Sequence, residues 1–359
     1  MTQGQTSIMR ALAGPMIEDP GPREQTLHRP PLAEVENLHV YFGGTRGVLA
    51  KRLGLARQPV RAIDGVSLVV REGETVGVVG ESGSGKTTLG GALLRLVEPT
   101  AGRIYSHGQD ITHHAERQLR SFRRHAQVIS QETVSGLSPR MKVGQLLTEP
   151  YAIHKIDERE RLGVTDLLGA VGLGPEVASR YPHQLSGGQA RRVSIARVLA
   201  LRPKFVVADE PTAGLDVSVA AGVLNLMKRL SDDWGLTYLV ITHDLDVVGF
   251  LADRIAVMYL GRVVESGPAT EVLDNPAHPY TVALLASRPK PNPKARDSKQ
   301  QPLATGEIPS ASAPPSGCRF HPRCLFATDQ CTVEDPLLRT INADHASACH
   351  YAEEIWRLQ

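Results

Sequence analysis

The spacing of apolar residues changes several times along the chain, and each change predicts an element. Over 35–42 and 60–70 apolar and polar residues alternate, the period of half-buried strands. Between them, 43–58 carries Gly and Arg without periodicity and reads as an exposed insertion loop. A β-branched run at 75–79 predicts a buried strand, and beyond a glycine-rich stretch Leu89, Ala92, Leu93 and Leu96 fall on one helix face. Over about 112–185 strand patterns become scarce, and Val164, Leu167, Leu168 and Val171 mark an amphipathic helix. Core pattern resumes at 193–201 and stops at Pro203. A strand at 205–209 follows, then a helix with Val223, Leu226, Met227 and Leu230 on one face, then a strand at 236–242.

Alternating strands and helices predict an α/β fold, a largely parallel sheet covered on both faces, with a helical subdomain inserted at about 112–185. Residues 1–32, rich in Pro, Gly and polar residues, read as a flexible leader. Pro, Ser, Ala and Lys dominate 287–316, which reads as a linker to a tail at 317–359.

Composition narrows the function. With 359 residues, 41% of them hydrophobic, the chain can bury a substantial core. Its 40 basic and 38 acidic residues give no global field for nucleic acid. Arg120, Arg123, Arg124 and the pair Arg191-Arg192 are expected to be solvated helix faces. No stretch reaches 18 uninterrupted apolar residues, and the first twenty residues lack a signal pattern, so a cytosolic protein is expected, reaching a membrane through a partner.

Three sequences then point to phosphate chemistry. Gly80-Glu81-Ser82-Gly83-Ser84-Gly85-Lys86-Thr87, followed by Thr88, fits G-x-x-x-x-G-K-[ST] between a predicted strand and a predicted helix. Its glycines let backbone N–H groups approach phosphates, Lys86 is expected to reach the β/γ-phosphates, and Thr87 to bind magnesium. Asp209 ends an apolar strand, where a carboxylate needs a cation; magnesium, reached through water, would supply it. Glu210 is placed to orient or deprotonate an attacking water. His243 follows another apolar strand and is expected to face the same crevice. Ser186, in Leu185-Ser186-Gly187-Gly188-Gln189, can cap the helix that follows and leave N–H groups accessible.

In this order the motifs resemble those of the ATP-binding-cassette (ABC) ATPases. The resemblance implies that Ser186, Gly187, Gly188 and Gln189 close the ATP site of a second cassette, with Asp216 across the dimer seam. It implies that Gln131, after Val128-Ile129, senses the γ-phosphate and metal, and that Phe42 stacks on adenine; Tyr41 in that role, or a core Phe42, are the alternatives.

A narrower resemblance rests on Asn275-Pro276-Ala277-His278-Pro279-Tyr280-Thr281, Gly306-Glu307-Ile308-Pro309-Ser310 and Cys318-Arg319-Phe320-His321-Pro322-Arg323-Cys324. These resemble the C-terminal extension of oligopeptide/dipeptide/nickel importer ATPases. Leu137-Ser138-Pro139-Arg140-Met141 and the early insertion look most like the F-type subunit. Where that family usually carries Phe-Gln-Asp-Pro, this chain has Ser130-Gln131-Glu132-Thr133. The implied organisation is a nucleotide-binding domain at 33–265 and an extension at 266–359.

All four cysteines, Cys318, Cys324, Cys331 and Cys349, lie in the tail, separated by five, six and seventeen residues. The absence of a close pair argues against an ordinary zinc ribbon, and a cytosolic setting argues against stable disulfides. A [4Fe-4S] cluster, zinc and unligated thiols stay open on spacing; the resemblance favours the cluster. With few apolar residues, the tail is expected to need such a centre as a staple, one that folds it rather than taking part in hydrolysis.

The expected function is ATP hydrolysis in an importer of peptides or related small solutes. The implied partners are a second, different ABC ATPase, two membrane permease subunits and an extracytoplasmic solute-binding protein, with the chain on the cytoplasmic face of the membrane. The rivals are a soluble ABC ATPase acting on ribosomes or DNA and a redox-sensing regulatory ATPase.

Overall fold

A computed structural model describes residues 29–44, 58–132, 136–287, 304, 306–342 and 344–357. Most of the expected leader, insertion loop and linker lies outside them, as does Thr133. The strands are β1 (Pro31–Phe42), β2 (Val60–Arg71), β3 (Thr75–Val79), β4 (Ala101–Ser106), β5 (Gln109–Asp110) and β6 (Ala126–Ile129). They continue with β7 (Phe205–Asp209), β8 (Thr237–Thr242), β9 (Arg254–Tyr259), β10 (Arg262–Pro268), β11 (Arg339–Asn342) and β12 (His345–Ser347). The helices used below are α1 (Lys86–Leu93), α2 (Glu116–His125), α3 (Val143–His154), α4 (Val164–Ala170), α5 (Gly187–Leu199), α6 (Val217–Trp234), α7 (Leu245–Leu251), α8 (Ala269–Asp274) and α9 (Pro279–Ala286).

The described residues divide into two compact units: those within 29–33, 70–75 and 106–241, and those within 34–69, 76–105 and 242–357. In the first, β6, β7 and β8 run parallel, with Val128 opposite Val207 and Val207 opposite Leu239. β7 and β8, covered on both faces, read as continuous apolar runs: β8 is buried throughout and β7 up to its last residue, Asp209. α3 and α4 pack against α5. Leu146, Leu147 and Tyr151 of α3, Leu167 and Leu168 of α4, and Val193, Ala196 and Leu199 of α5 are buried. α2 buries only Leu119; of its arginines Arg120 is exposed as expected, whereas Arg123 and Arg124 are half-buried and paired with Glu116 and Glu160.

In the second unit β3 runs parallel to β9, β9 and β10 form an antiparallel hairpin, and β12 then β11 extend the sheet antiparallel. A β-bulge between Val263 and Glu265 turns the Glu265 carboxylate inward, where it is fully buried. That carboxylate accepts the N–H groups of Ala277 and His278 and contacts His345 Nε2 at 2.7 Å. The aromatic core of the unit gathers Tyr259, Tyr280 and Phe320, with Tyr259 and Phe320 edge to face at 5.3 Å between centroids.

Two sequence expectations are corrected. Leu96 lies beyond the end of α1 and is 57% exposed, because the helix stops at Leu93. The tail is not a separate miniature held only by its cysteines: Phe320 sits in the unit's core, and β11 and β12 join its sheet.

Candidate functional site

Gly80, Glu81, Ser82, Gly83, Ser84 and Gly85 link β3 to α1 in the second unit, and Lys86, Thr87 and Thr88 open the helix. The loop is confined by its backbone. Gly80 and Gly85 adopt φ of 153° and 105°, and a Cβ would lie 2.1 Å from the Met258 carbonyl oxygen and 2.2 Å from that of Ala62. No L side chain fits at either position. Lys86 Nζ is buried beneath the loop and donates to the carbonyls of Gly80 and Glu81 at 2.8 and 2.9 Å. Thr87 is exposed at the mouth of α1.

Phe42, also in this unit, is 46% exposed at the end of β1, so it is not a core residue. Tyr41 is engaged instead: its hydroxyl contacts His39 Nδ1 at 3.0 Å and donates to Asp64 at 2.5 Å. Burial alone would raise the Asp64 pKa, but hydrogen bonds from Tyr41, Arg319 and His39 outweigh it and hold this carboxyl well below the usual range. His243 is exposed just beyond β8, next to Asp244, which caps α7 by accepting the Asp246 N–H.

The first unit holds the other motif residues. Ser186 and Gln189 form a reciprocal cap on α5: the Gln189 N–H reaches Ser186 Oγ at 3.3 Å and the Ser186 N–H reaches Gln189 Oε1 at 3.1 Å. Ser186 and Gly187 are exposed, whereas Gly188 is set by packing, since a Cβ there would meet Val219 Cγ1 at 2.4 Å. Asp216 caps α6 by accepting the Val219 N–H at 3.0 Å, the main reason its pKa is lowered. Asp209 ends β7, half-buried. Glu210 beside it adopts φ of 49°, a strained backbone for a non-glycine residue, with its N–H on the Ile241 carbonyl at 2.8 Å. Gln131 is exposed beyond β6.

Arg191 and Arg192 overturn their assignment to a solvated face. Arg191 is 1% exposed and donates to the carbonyls of Ser130 and Gln131, so that α5 carries the segment leading into Gln131. Arg192 donates to the Val171 carbonyl at 2.9 Å. Arg191 shares its helix face with the buried Ile195, four residues on, but an arginine is ordinarily solvated, so the sequence does not declare its burial.

Cys318, Cys324, Cys331 and Cys349 line one small cavity, with His278, Phe320 and Tyr351 among its walls. All four are free thiols. Burial pushes the pKa of Cys318 up, that of Cys324 to about 11 and that of Cys349 to about 12; neighbouring thiols in the group add to each rise. The N–H groups of Phe326 and Tyr351 point at Cys324 Sγ and Cys349 Sγ, both at 3.4 Å. Among the described residues, no three His, Cys, Asp or Glu side chains stand at the geometry of a bound metal ion. Nor is any described helix long and apolar enough to cross a membrane.

The C-terminal extension also reaches the glycine loop, through Arg323 of the tail and Tyr280 of α9. Arg323 forms a two-point pair with the Glu81 carboxylate at 2.7 and 3.0 Å, and Tyr280 Oη accepts the Glu81 N–H at 2.7 Å. Neither residue was singled out from the sequence for this role.

Comparison with known proteins agrees with these features. The ABC transporter family matches residues 63–213, and the oligopeptide/dipeptide transporter C-terminal region matches 264–331. The chain is 45% identical over 327 residues to a putative oligopeptide transport ATP-binding protein of Bacillus subtilis, covering 90% of this chain and 96% of that one. It is 42% identical over 322 residues to a second oligopeptide transport ATP-binding protein of the same organism, covering 89% and 97%. Among solved structures, an ATP-binding cassette dimer in a post-hydrolysis state with ADP and Pi aligns with a TM-score of 0.57 and 27% identity, over 66% of this chain and 98% of that one. With a cassette match, a C-terminal match and near full-length relatives, the chain belongs to the family of ABC transporter ATP-binding subunits that carry the oligopeptide/dipeptide transporter C-terminal region.

Proposed function

We propose that the protein is the ATP-hydrolysing subunit of an ABC importer that powers uptake of peptides or related small solutes through membrane permease subunits. The observation that carries this is the pairing of a complete set of cassette motifs with the C-terminal region named for oligopeptide/dipeptide transporters. The domain organisation that goes with it is a nucleotide-binding domain at 33–265, including a helical subdomain at about 112–185, and an extension at 266–359.

In this reading residues 80–88 hold the phosphates, with Lys86 on the β/γ-phosphates. Thr87, Gln131 and Asp209 would hold Mg2+, which offsets phosphate charge when bound. Phe42 stacks on adenine, a role its exposure permits. Glu210 orients or deprotonates the attacking water, His243 supports the γ-phosphate, and Gln131 links that end to the permease side. Ser186, Gly187, Gly188, Gln189 and Asp216 serve the ATP of a second cassette, a related but different subunit. ATP binding closes the two cassettes and hydrolysis reopens them, moving two permease subunits that receive solute from an extracytoplasmic binding protein. The chain then works on the cytoplasmic face of the membrane.

The four cysteines would hold one centre, for which we favour [4Fe-4S] over Zn2+. Four thiols around one cavity and two N–H···S contacts suit a thiolate-bound cluster. Such a centre would tie the tail segments together.

Expression with the other transporter subunits tests the assignment. Co-purification with two hydrophobic permease subunits, and ATP hydrolysis that rises when solute-loaded binding protein is added, is the expected result. An ATPase that purifies without permeases and is stimulated by ribosomes or DNA would replace it with the soluble reading.

A further inference from the structure

Each polar group of Glu81 is held, and two of its partners come from far along the chain. Its carbonyl accepts Lys86 Nζ, its N–H donates to Tyr280, and its carboxylate receives both terminal nitrogens of Arg323. Tyr280 and Arg323 both lie in the matched C-terminal region, 199 and 242 residues beyond Glu81. The guanidinium is itself fixed, 5.8 Å from the ring centres of Tyr259 and Phe320, which pack against each other and against Tyr280. Arg323 is 8% exposed, so its place is set by the unit's core rather than by solvent.

Glu81 is an awkward residue for a loop that takes a triphosphate, because its carboxylate repels the ligand's charge. A planar fork that meets both carboxylate oxygens neutralises the charge and also fixes the residue's orientation, which a lysine would not do. Since Lys86 bonds the carbonyl of the same residue, the position of Glu81 also bears on the lysine that faces the phosphates.

We propose that Arg323 is a positioning residue for ATP binding: by clamping Glu81 it sets the glycine loop and cancels a charge that would repel ATP, so the C-terminal region controls nucleotide affinity. This rests on residues 80–88 being the ATP phosphate loop, and Lys86→Ala tests that premise separately.

The experiment measures the ATP Kd by calorimetry, and KM and kcat, on the assembled transporter carrying Arg323→Gln, Glu81→Gln or both. Arg323→Gln should weaken ATP binding about tenfold while kcat at saturating ATP changes less than about twofold, the signature of lost ground-state binding. Adding Glu81→Gln should recover most of that loss, because the unpaired carboxylate is gone; damage to tail folding alone would not be rescued. If Arg323→Gln fails to fold, Arg323→Lys, which keeps the charge but not the fork, should weaken binding about threefold, the part of the effect that depends on fixing the orientation of Glu81. Unchanged ATP affinity in the folded Arg323 variant, or no rescue of Arg323→Gln by Glu81→Gln, overturns the proposal. If Lys86→Ala also leaves ATP affinity unchanged, the phosphate-loop premise fails instead.

Discussion

The guanidinium of Arg191 spans the backbone carbonyls of Ser130 and Gln131, at 2.7 and 3.1 Å, from a position on α5 that is almost fully buried. The helix that begins at Ser186 is thereby bonded to the segment that delivers Gln131. Arg191→Leu should leave two carbonyls unpaired and cost about 2–3 kcal/mol in chemical denaturation. ATP turnover should fall more than ATP affinity, since the glycine loop belongs to the other unit. Stability within about 0.5 kcal/mol of the parent would show the contacts to be dispensable.

Glu210→Gln should preserve ATP binding and lower hydrolysis by about a hundredfold or more, because it removes the group assigned to the attacking water and spares Lys86. The strained φ at this residue is unchanged by the substitution, so folding should be too. Turnover within about threefold of the parent in the assembled transporter would remove Glu210 from the chemistry.

Ser186→Arg should impair hydrolysis at the partner cassette's phosphate loop and leave ATP binding at this chain's own loop nearly intact. It also breaks the reciprocal cap with Gln189, for a stability cost of about 1 kcal/mol. Site-resolved hydrolysis in heterodimers with one disabled loop measures the split. Loss confined to this chain's own site would refute the assignment.

Anaerobically purified protein should be brown, with iron and acid-labile sulfide near about four per chain. Cys324→Ser should bleach it and loosen the tail, read as faster proteolysis after residue 287. Colourless protein with one zinc would keep a structural site and reject the cluster. Protein without metal would reject both.

Lowering the pH should destabilise the fold through His278. Burial drives its pKa down to about 3, and its Nδ1 accepts the Tyr280 N–H, so the folded state requires the neutral ring. The unfolded chain, with an ordinary pKa near ~6.5, then binds more protons over the interval. The His278 contribution is complete above about pH 6.5 and declines as the pH falls towards 3. Denaturation of the parent and of His278→Asn at several pH values should show a shallower acid slope in the variant; equal slopes would exclude His278 as the cause.

Elements defined by local pattern were legible. β3, β7 and β8 are apolar runs because both faces are covered, and Val223, Leu226, Met227 and Leu230 declare the inner face of α6. The glycine loop was legible because backbone approach restricts Gly80 and Gly85 to one residue type. What stayed hidden depends on distant partners. β12 buries His345 and Ser347, polar residues that no hydrophobic pattern marks, and their burial is tolerable only because Glu265 and the Ala277 carbonyl meet them. Arg323 could not be paired with Glu81 from the sequence, since nothing between them signals the approach.

The pairing of β12 with β10 also closes an open flank. Without β11 and β12, β10 would present unpaired backbone groups at Glu265 and Ser266 and an unpaired Val264 carbonyl, a template for strand addition between molecules. Glu265 would at the same time lose His345. Ending the chain after β10, before β11 and β12, should therefore favour strand addition between molecules through this flank.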